Sequence, residues 1–249
     1  EILQYQQTSV VTDQNEPNEY GLDVSCNLGS IDIHEATKVQ DFGQLVDTAM
    51  RLLTNVSTMT DIVNVPSVSK ANKVMHSVGL GVMNLHGHLV QSGIRYGSKE
   101  SIEFIDSFME ALNYYSLKAS MEIAKQKNET FYQFEESDYA SGVYFETYIN
   151  KEEKELTPEV IKALGGTPII TRNMWQQLKA DVLEHGLFHS YRLAIAPTGS
   201  ISYIRSCTAS IAPVTERVEV RDYADSRTIY PMPFLTNGNQ ELYTEAYEV

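Results

Sequence analysis

Leu193-Ala194-Ile195-Ala196-Pro197-Thr198-Gly199-Ser200-Ile201-Ser202 holds the strongest structural signal in the chain. Its first four residues form a short apolar run of strand length, and Pro197-Thr198-Gly199 breaks that run at a turn. Residues 200–206 then have the composition to begin a helix. Strand, tight turn and helix in that order gather the hydroxyls of Thr198, Ser200 and Ser202 and the open N–H groups of a helix start around one point, which is the layout of an anion site. An ordinary capped strand-to-helix connection has the same wording, and composition does not separate the two.

Upstream of this stretch the chain reads mostly as helix. Thr171 opens a helix carrying Met174, Leu178, Val182 and Leu183 up to Gly186, and Thr157-Pro158 is a cap followed by a first-turn proline. Ser98 caps a further helix whose period (Ile102, Ile105, Phe108, Met109, Leu112, Tyr115, Ala119) should hold to about Lys127. The acidic, aromatic residues 128–156 read as a surface excursion. Residues 71–91, apolar and punctuated by glycine, predict close helix packing and then a short helix ending near Gly93. Asp41 and Gln44 mark another helix start, with a stripe of Leu45, Ala49, Leu52, Leu53, Val56, Met59 and Val63.

Residues 1–28 carry no helical period and predict extended chain, a loop, then a strand over 22–28 with Cys26 near its carboxyl end. Downstream, 217–220 and 227–230 are β-like, and a last helix is expected from about Asn239. Long helices separated by short strands indicate an α/β layer or barrel rather than an all-helical bundle. The whole of 1–249 reads as one domain-sized unit.

Composition bounds the function. The 249 residues include 33 acidic and 19 basic side chains, a net charge of -14, which would repel a polyphosphate backbone. Nucleic acid is therefore not an expected partner, although backbone N–H groups can hold one small phosphate without any lysine. Neither an apolar run of membrane-spanning length nor a secretory start is visible, and a cytoplasmic location is expected. Cys26 and Cys207, the two cysteines, lack C-x-x-C spacing. Taken alone, each is expected to be a buried free thiol. His86-Gly87-His88 is not expected to hold a metal, because residues two apart on a helix do not face each other. The tyrosines at 114, 115, 132, 139, 144 and 148 read as packing residues.

Taken together, the motifs resemble the large catalytic subunit of ribonucleotide reductase. The resemblance runs through Trp175-Gln176-Gln177-Leu178, Gly186-Leu187-Phe188-His189, Leu193-Ala194 and Pro197, and then the Pro-Thr-Gly-Ser-Ile-Ser segment at 197–202. Ser25-Cys26-Asn27-Leu28-Gly29-Ser30 is similar to the family segment that holds one cysteine of its redox pair. Thr130-Phe131, Phe134-Glu135, Tyr139-Ala140, Tyr144-Phe145, Tyr230-Pro231 and Pro233-Phe234 look most like the class Ib branch of class I. The cobalamin-dependent class shares the Cys-Asn-Leu-Gly-Ser and Pro-Thr-Gly-Ser segments and stays open.

The resemblance implies a fold, the second half of a ten-stranded α/β barrel with helices packed around a short-stranded sheet. It also implies an activity, thiyl-radical reduction of ribonucleoside diphosphates to deoxyribonucleoside diphosphates. Cys26 would supply reducing equivalents, and Pro197, Thr198, Gly199, Ser200, Ile201 and Ser202 would grip the substrate phosphate. Glu1 would continue the family's finger loop, as the base that accepts the 3′-hydroxyl proton. The implied partners are an upstream half of the barrel, a small subunit whose dimetal centre generates the radical, and an external dithiol, with no cofactor bound in this chain and no metal. Without the upstream half the chain is expected to be inactive; the alternative is a non-catalytic fragment that binds phosphate or a complementary chain. His189 departs from the asparagine common in the family, and Arg205, Cys207 and Ala212 interrupt its wording after the turn.

Overall fold

The computed structural model describes residues 21–25, 27–60, 64–152, 155–223 and 226–248. Glu1 and Cys26 lie outside them. The first strand, β1, is Asn27–Asp32 and pairs in parallel with β2, Val78–Met83, in the register Asn27↔Val78 to Asp32↔Met83. A parallel pair needs a long crossover. It is supplied by helices α1 (Ile33–Ala36), α2 (Phe42–Met59) and α3 (Pro66–Met75). On the far side of β2 the apolar run adds a third line of chain: Val78 N–H donates to Tyr191 O at 3.0 Å, Leu80 N–H to Arg192 O at 2.8 Å and Ala194 N–H to Leu80 O at 3.1 Å.

The strand expected over 22–28 opens at Asn27 and runs on through Gly29 and Ser30, because its partner β2 reaches to Met83. Residues 71–91 hold not helix alone but β2 between α3 and α4 (Leu85–Gln91). Every residue of β2 is buried, so it lacks the alternation that marks a half-exposed strand. Gly81 is required: a β-carbon there would collide with the Ala194 carbonyl oxygen of the neighbouring line of chain. Gly81→Ala should cost about 1–3 kcal/mol through overpacking, read as a shifted urea midpoint at unchanged slope.

The helical caps are as the sequence indicates. Asp41 accepts from Gln44 N–H at the start of α2, and Ser98 from Ser101 N–H at the start of α5 (Lys99–Lys127). After α6 (Val143–Ile149), Thr157 caps α7 (Pro158–Leu164) and Thr171 caps α8 (Arg172–His185), each hydroxyl taking one orphan first-turn N–H. The buried face of α2 is Phe42, Val46, Met50, Thr54 and Ser57, with Leu45, Ala49 and Leu53 beside it. Leu52, Val56 and Met59, placed on the buried stripe by the sequence, are exposed.

Helices α2 and α5 pack on each other, α2 packs on β2 and α7 on α5, around a core that includes Phe104, Phe108 and Leu80. A second core centres on Trp175 of α8, whose indole N–H donates to Glu110 at 2.9 Å. Within 128–156, Phe131, Phe134 and Phe145 turn inward to this core, while Glu135, Glu136 and Asp138 stay exposed. The tail forms the antiparallel hairpin β3 (Val218–Tyr223) and β4 (Ser226–Pro231). The helix expected from Asn239 is a single 3-10 turn, Gln240–Leu242. No helix among the described residues is long and apolar enough to cross a membrane.

Candidate functional site at the sheet edge

Parallel strands deliver their following loops to one edge, and in open α/β layers that edge holds the ligand crevice. Here β1 ends at Asp32, β2 at Met83, and the third line of chain runs into the Pro197-Thr198-Gly199 turn and helix α9 (Gly199–Arg205). The turn and the helix expected from the sequence are present, the helix opening one residue early at Gly199, whereas the apolar run is not a full strand: it joins β2 only through an isolated parallel bridge, Leu80↔Leu193.

Thr198 adopts a left-handed backbone, φ 50°, uncommon for a β-branched residue, and it is held there from both ends. Its hydroxyl accepts from Ser210 N–H at 2.7 Å, and its carbonyl accepts from Ser202 N–H at 3.1 Å. Ser202 is buried and donates its hydroxyl to Gly199 O at 2.9 Å. The hydroxyls of Thr198 and Ser202 thus build the turn. Pro197, Gly199, Ser200 and Ile201 are exposed, and a β-carbon added at Gly199 would meet open space. The amides of Gly199, Ser200 and Ile201 precede the first intrahelical donor, the Ser202 N–H that bonds Thr198 O, so an anion would be met by backbone N–H groups and the Ser200 hydroxyl.

A polar knot that the sequence did not single out ties this turn to both strand ends. Asn84, itself left-handed at φ 70°, donates its amide to Asp32 at 2.8 Å and accepts from Thr208 N–H at 3.2 Å. Thr208 O accepts from Asn84 N–H at 2.9 Å, and Gly87 N–H donates to the Thr208 hydroxyl at 3.0 Å. Arg205 closes the ring with Nε on Asp32 at 3.2 Å and a second contact to Glu35 at 3.3 Å. The signal available was an acid at a strand end and an asparagine between two elements, too common to notice. Cys207 lies beside this knot, 3% exposed, and burial pushes its thiol up to about 11, which keeps it protonated.

The histidines work as packed neutral rings. His88 Nε2–H donates to Ala163 O at 3.1 Å, so its Nδ1 is the acceptor facing His34 Nδ1 at 3.1 Å. His86 turns to the tail instead, with its ring nitrogens toward the N–H groups of Val214 and Thr244. Burial lowers both rings to about 4. His189 sits between two hydroxyls: Thr54 gives its proton to Met50 O and so accepts from His189 Nε2–H at 2.8 Å, while Ser120 donates to Nδ1 at 2.9 Å. One donor and one acceptor are what a side-chain amide would also offer here. Desolvation first, then the Arg192 charge, lowers His189 to about 3.

These features define a class: an α/β unit with an anion-ready turn where its parallel strands end. The family model for the ribonucleotide reductase barrel domain matches residues 1–249, and the chain belongs to that family. It is 49% identical over 249 residues to the ribonucleoside-diphosphate reductase subunit alpha of Bacillus subtilis, covering 100% of this chain and 36% of that protein. The nrdEB subunit alpha of Bacillus phage SPbeta is 47% identical over 249 residues, 23% of its length. The subunit alpha of Mycoplasma pneumoniae is 41% identical over 237 residues, 33% of its length. The chain thus spans about a third or less of these relatives.

Proposed function

We propose that the complete polypeptide carrying this segment reduces ribonucleoside diphosphates to deoxyribonucleoside diphosphates. The observation that carries the reading is the coincidence of family membership over all of 1–249 with an exposed, amide-rich turn at 197–202. The substrate phosphate sits on the amides of Gly199, Ser200 and Ile201, while Thr198 and Ser202 shape the turn from beneath. A thiyl radical borne outside this segment removes the 3′-hydrogen, Glu1 takes the 3′-hydroxyl proton, and the 2′-hydroxyl leaves as water with a proton from one thiol of the Cys26 pair. Cys26 and its partner thiol supply two electrons and two protons in all and become a disulfide, which an external dithiol reduces; Glu1 returns its proton and the 3′-hydrogen goes back to the nucleotide, which regenerates the thiyl radical. The parallel strands form part of a ten-stranded barrel completed by the upstream half, in the cytosol, and a dimetal small subunit supplies the radical.

The test uses Ser200→Asp in the complete polypeptide, assayed for deoxyribonucleotide formation with the radical-generating subunit and dithiol. A carboxylate in the first turn of α9 favours the helix dipole yet repels phosphate. We expect KM to rise by about 10- to 100-fold, a loss of roughly 1.4–2.7 kcal/mol of substrate binding, with no loss of thermal stability. An unchanged KM would remove the turn from the substrate site.

A further inference from the structure

The strongest unassigned feature lies away from the sheet edge, at Arg192. This side chain is 6% exposed, and its guanidinium is held among neutral groups. Nη1 donates to Ser116 at 2.7 Å and to Asn113 at 3.3 Å, and Nη2 donates to the Tyr139 hydroxyl at 3.0 Å. No carboxylate among the described residues lies within ion-pairing distance of it. An arginine cannot shed its proton to escape this situation, and a buried cation without a counter-charge is costly. Neutral acceptors solvate the charge but do not cancel it.

Arg192 also lines a cavity of about 450 Å³, large enough for a small organic molecule. Glu136 and Asp138 also line it, and both are exposed, so the cation lies deep and the two acids lie toward solvent. One deep positive charge beneath two shallow negative charges discriminates among anions. A phosphate dianion would overcompensate the arginine and meet the acids, whereas a single carboxylate matches the guanidinium in charge and in its two-pronged geometry. A ligand whose other end carries an ammonium or hydroxyl would satisfy Glu136 and Asp138 as well.

We propose that this cavity is a binding site for a small carboxylate, its carboxylate on Arg192 and its donor-bearing end toward Glu136 and Asp138. The site shares no residue with the turn at 197–202 and does not depend on the reductase reading.

The test is titration of the complete polypeptide with acetate, β-alanine and inorganic phosphate at constant ionic strength, followed by saturation-transfer NMR and thermal shift. β-Alanine is expected to bind more tightly than acetate, and phosphate least. Arg192→Gln should abolish carboxylate binding, and Tyr139→Phe, which keeps the ring but loses the hydroxyl that anchors the guanidinium, should weaken it about fivefold, the size of one hydrogen bond. Absence of carboxylate binding to the wild type, tighter binding of phosphate, or undiminished binding by Arg192→Gln would overturn the proposal. Should Arg192→Gln not fold, an unchanged β-alanine affinity in Tyr139→Phe overturns it equally.

Discussion

Replacing Cys26 by serine in the complete polypeptide is expected to remove dithiol-dependent turnover, by a factor of about 10³ or more, equivalent to roughly 4 kcal/mol of barrier. The reason is electron balance rather than geometry. Reduction of the 2′-carbon consumes two electrons, a thiol pair supplies them by forming a disulfide, and a serine hydroxyl has no comparable oxidation available to it. Substrate affinity should stay within about twofold, since the proposed phosphate contacts come from the 197–202 turn. Steady-state deoxyribonucleotide formation and equilibrium substrate binding, measured side by side, check both halves. Turnover within tenfold of the parent would remove Cys26 from the chemistry.

The second large effect is a steep acid limb of stability. His86, His88 and His189 are buried and neutral, lowered from 6.5 to about 4, about 4 and about 3. Their ordinary value applies when the chain is unfolded, so between pH 6.5 and about 4 the unfolded chain binds protons that the folded one refuses. Stability is therefore fully present above pH 6.5 and lost as pH falls. Each ring contributes a slope approaching about 1.4 kcal/mol per pH unit, or about 2 kcal/mol between pH 7 and pH 5. The contacts give the same sign: a protonated His86 would set two ring N–H groups against the N–H groups of Val214 and Thr244. Urea midpoints across that range should fall steeply, and His189→Asn should flatten the slope by one histidine's share. A pH-independent midpoint would mean that these rings are not buried neutral.

What was legible in the sequence were the features governed by local chemistry. Asp41, Ser98, Thr157 and Thr171 each cap the helix assigned to them because a short polar side chain before an apolar period has few other uses. The turn at 197–199 was legible for the same reason: proline and glycine at the end of an apolar run leave little choice of conformation. What escaped depends on tertiary surroundings. Strand β2 is covered on both faces, so Val78 to Met83 carries no period to read, and its glycine at 81 answers to a carbonyl more than a hundred residues away. The face of α2 was misplaced because Leu52, Val56 and Met59 are apolar yet exposed, while Thr54, buried, serves His189. Arg192 carries no local signal in the sequence; only packing shows that its charge is enclosed.

The site was legible in part. The turn, its helix and its position beyond the parallel strands followed from the residues, but the division of labour did not: Thr198 and Ser202 were expected to face an anion and are spent on holding the backbone. The Asp32, Asn84 and Thr208 knot joins three separate parts of the chain and has no signature in any one of them.

Cys26 is proposed to be oxidised as the nucleotide is reduced. The direct measurement is a single turnover of the pre-reduced complete enzyme without dithiol, quenched with an alkylating reagent and mapped by mass spectrometry. Cys26 is expected in a disulfide, in proportion to the deoxyribonucleotide formed. Product formed while Cys26 is recovered fully alkylated would contradict it.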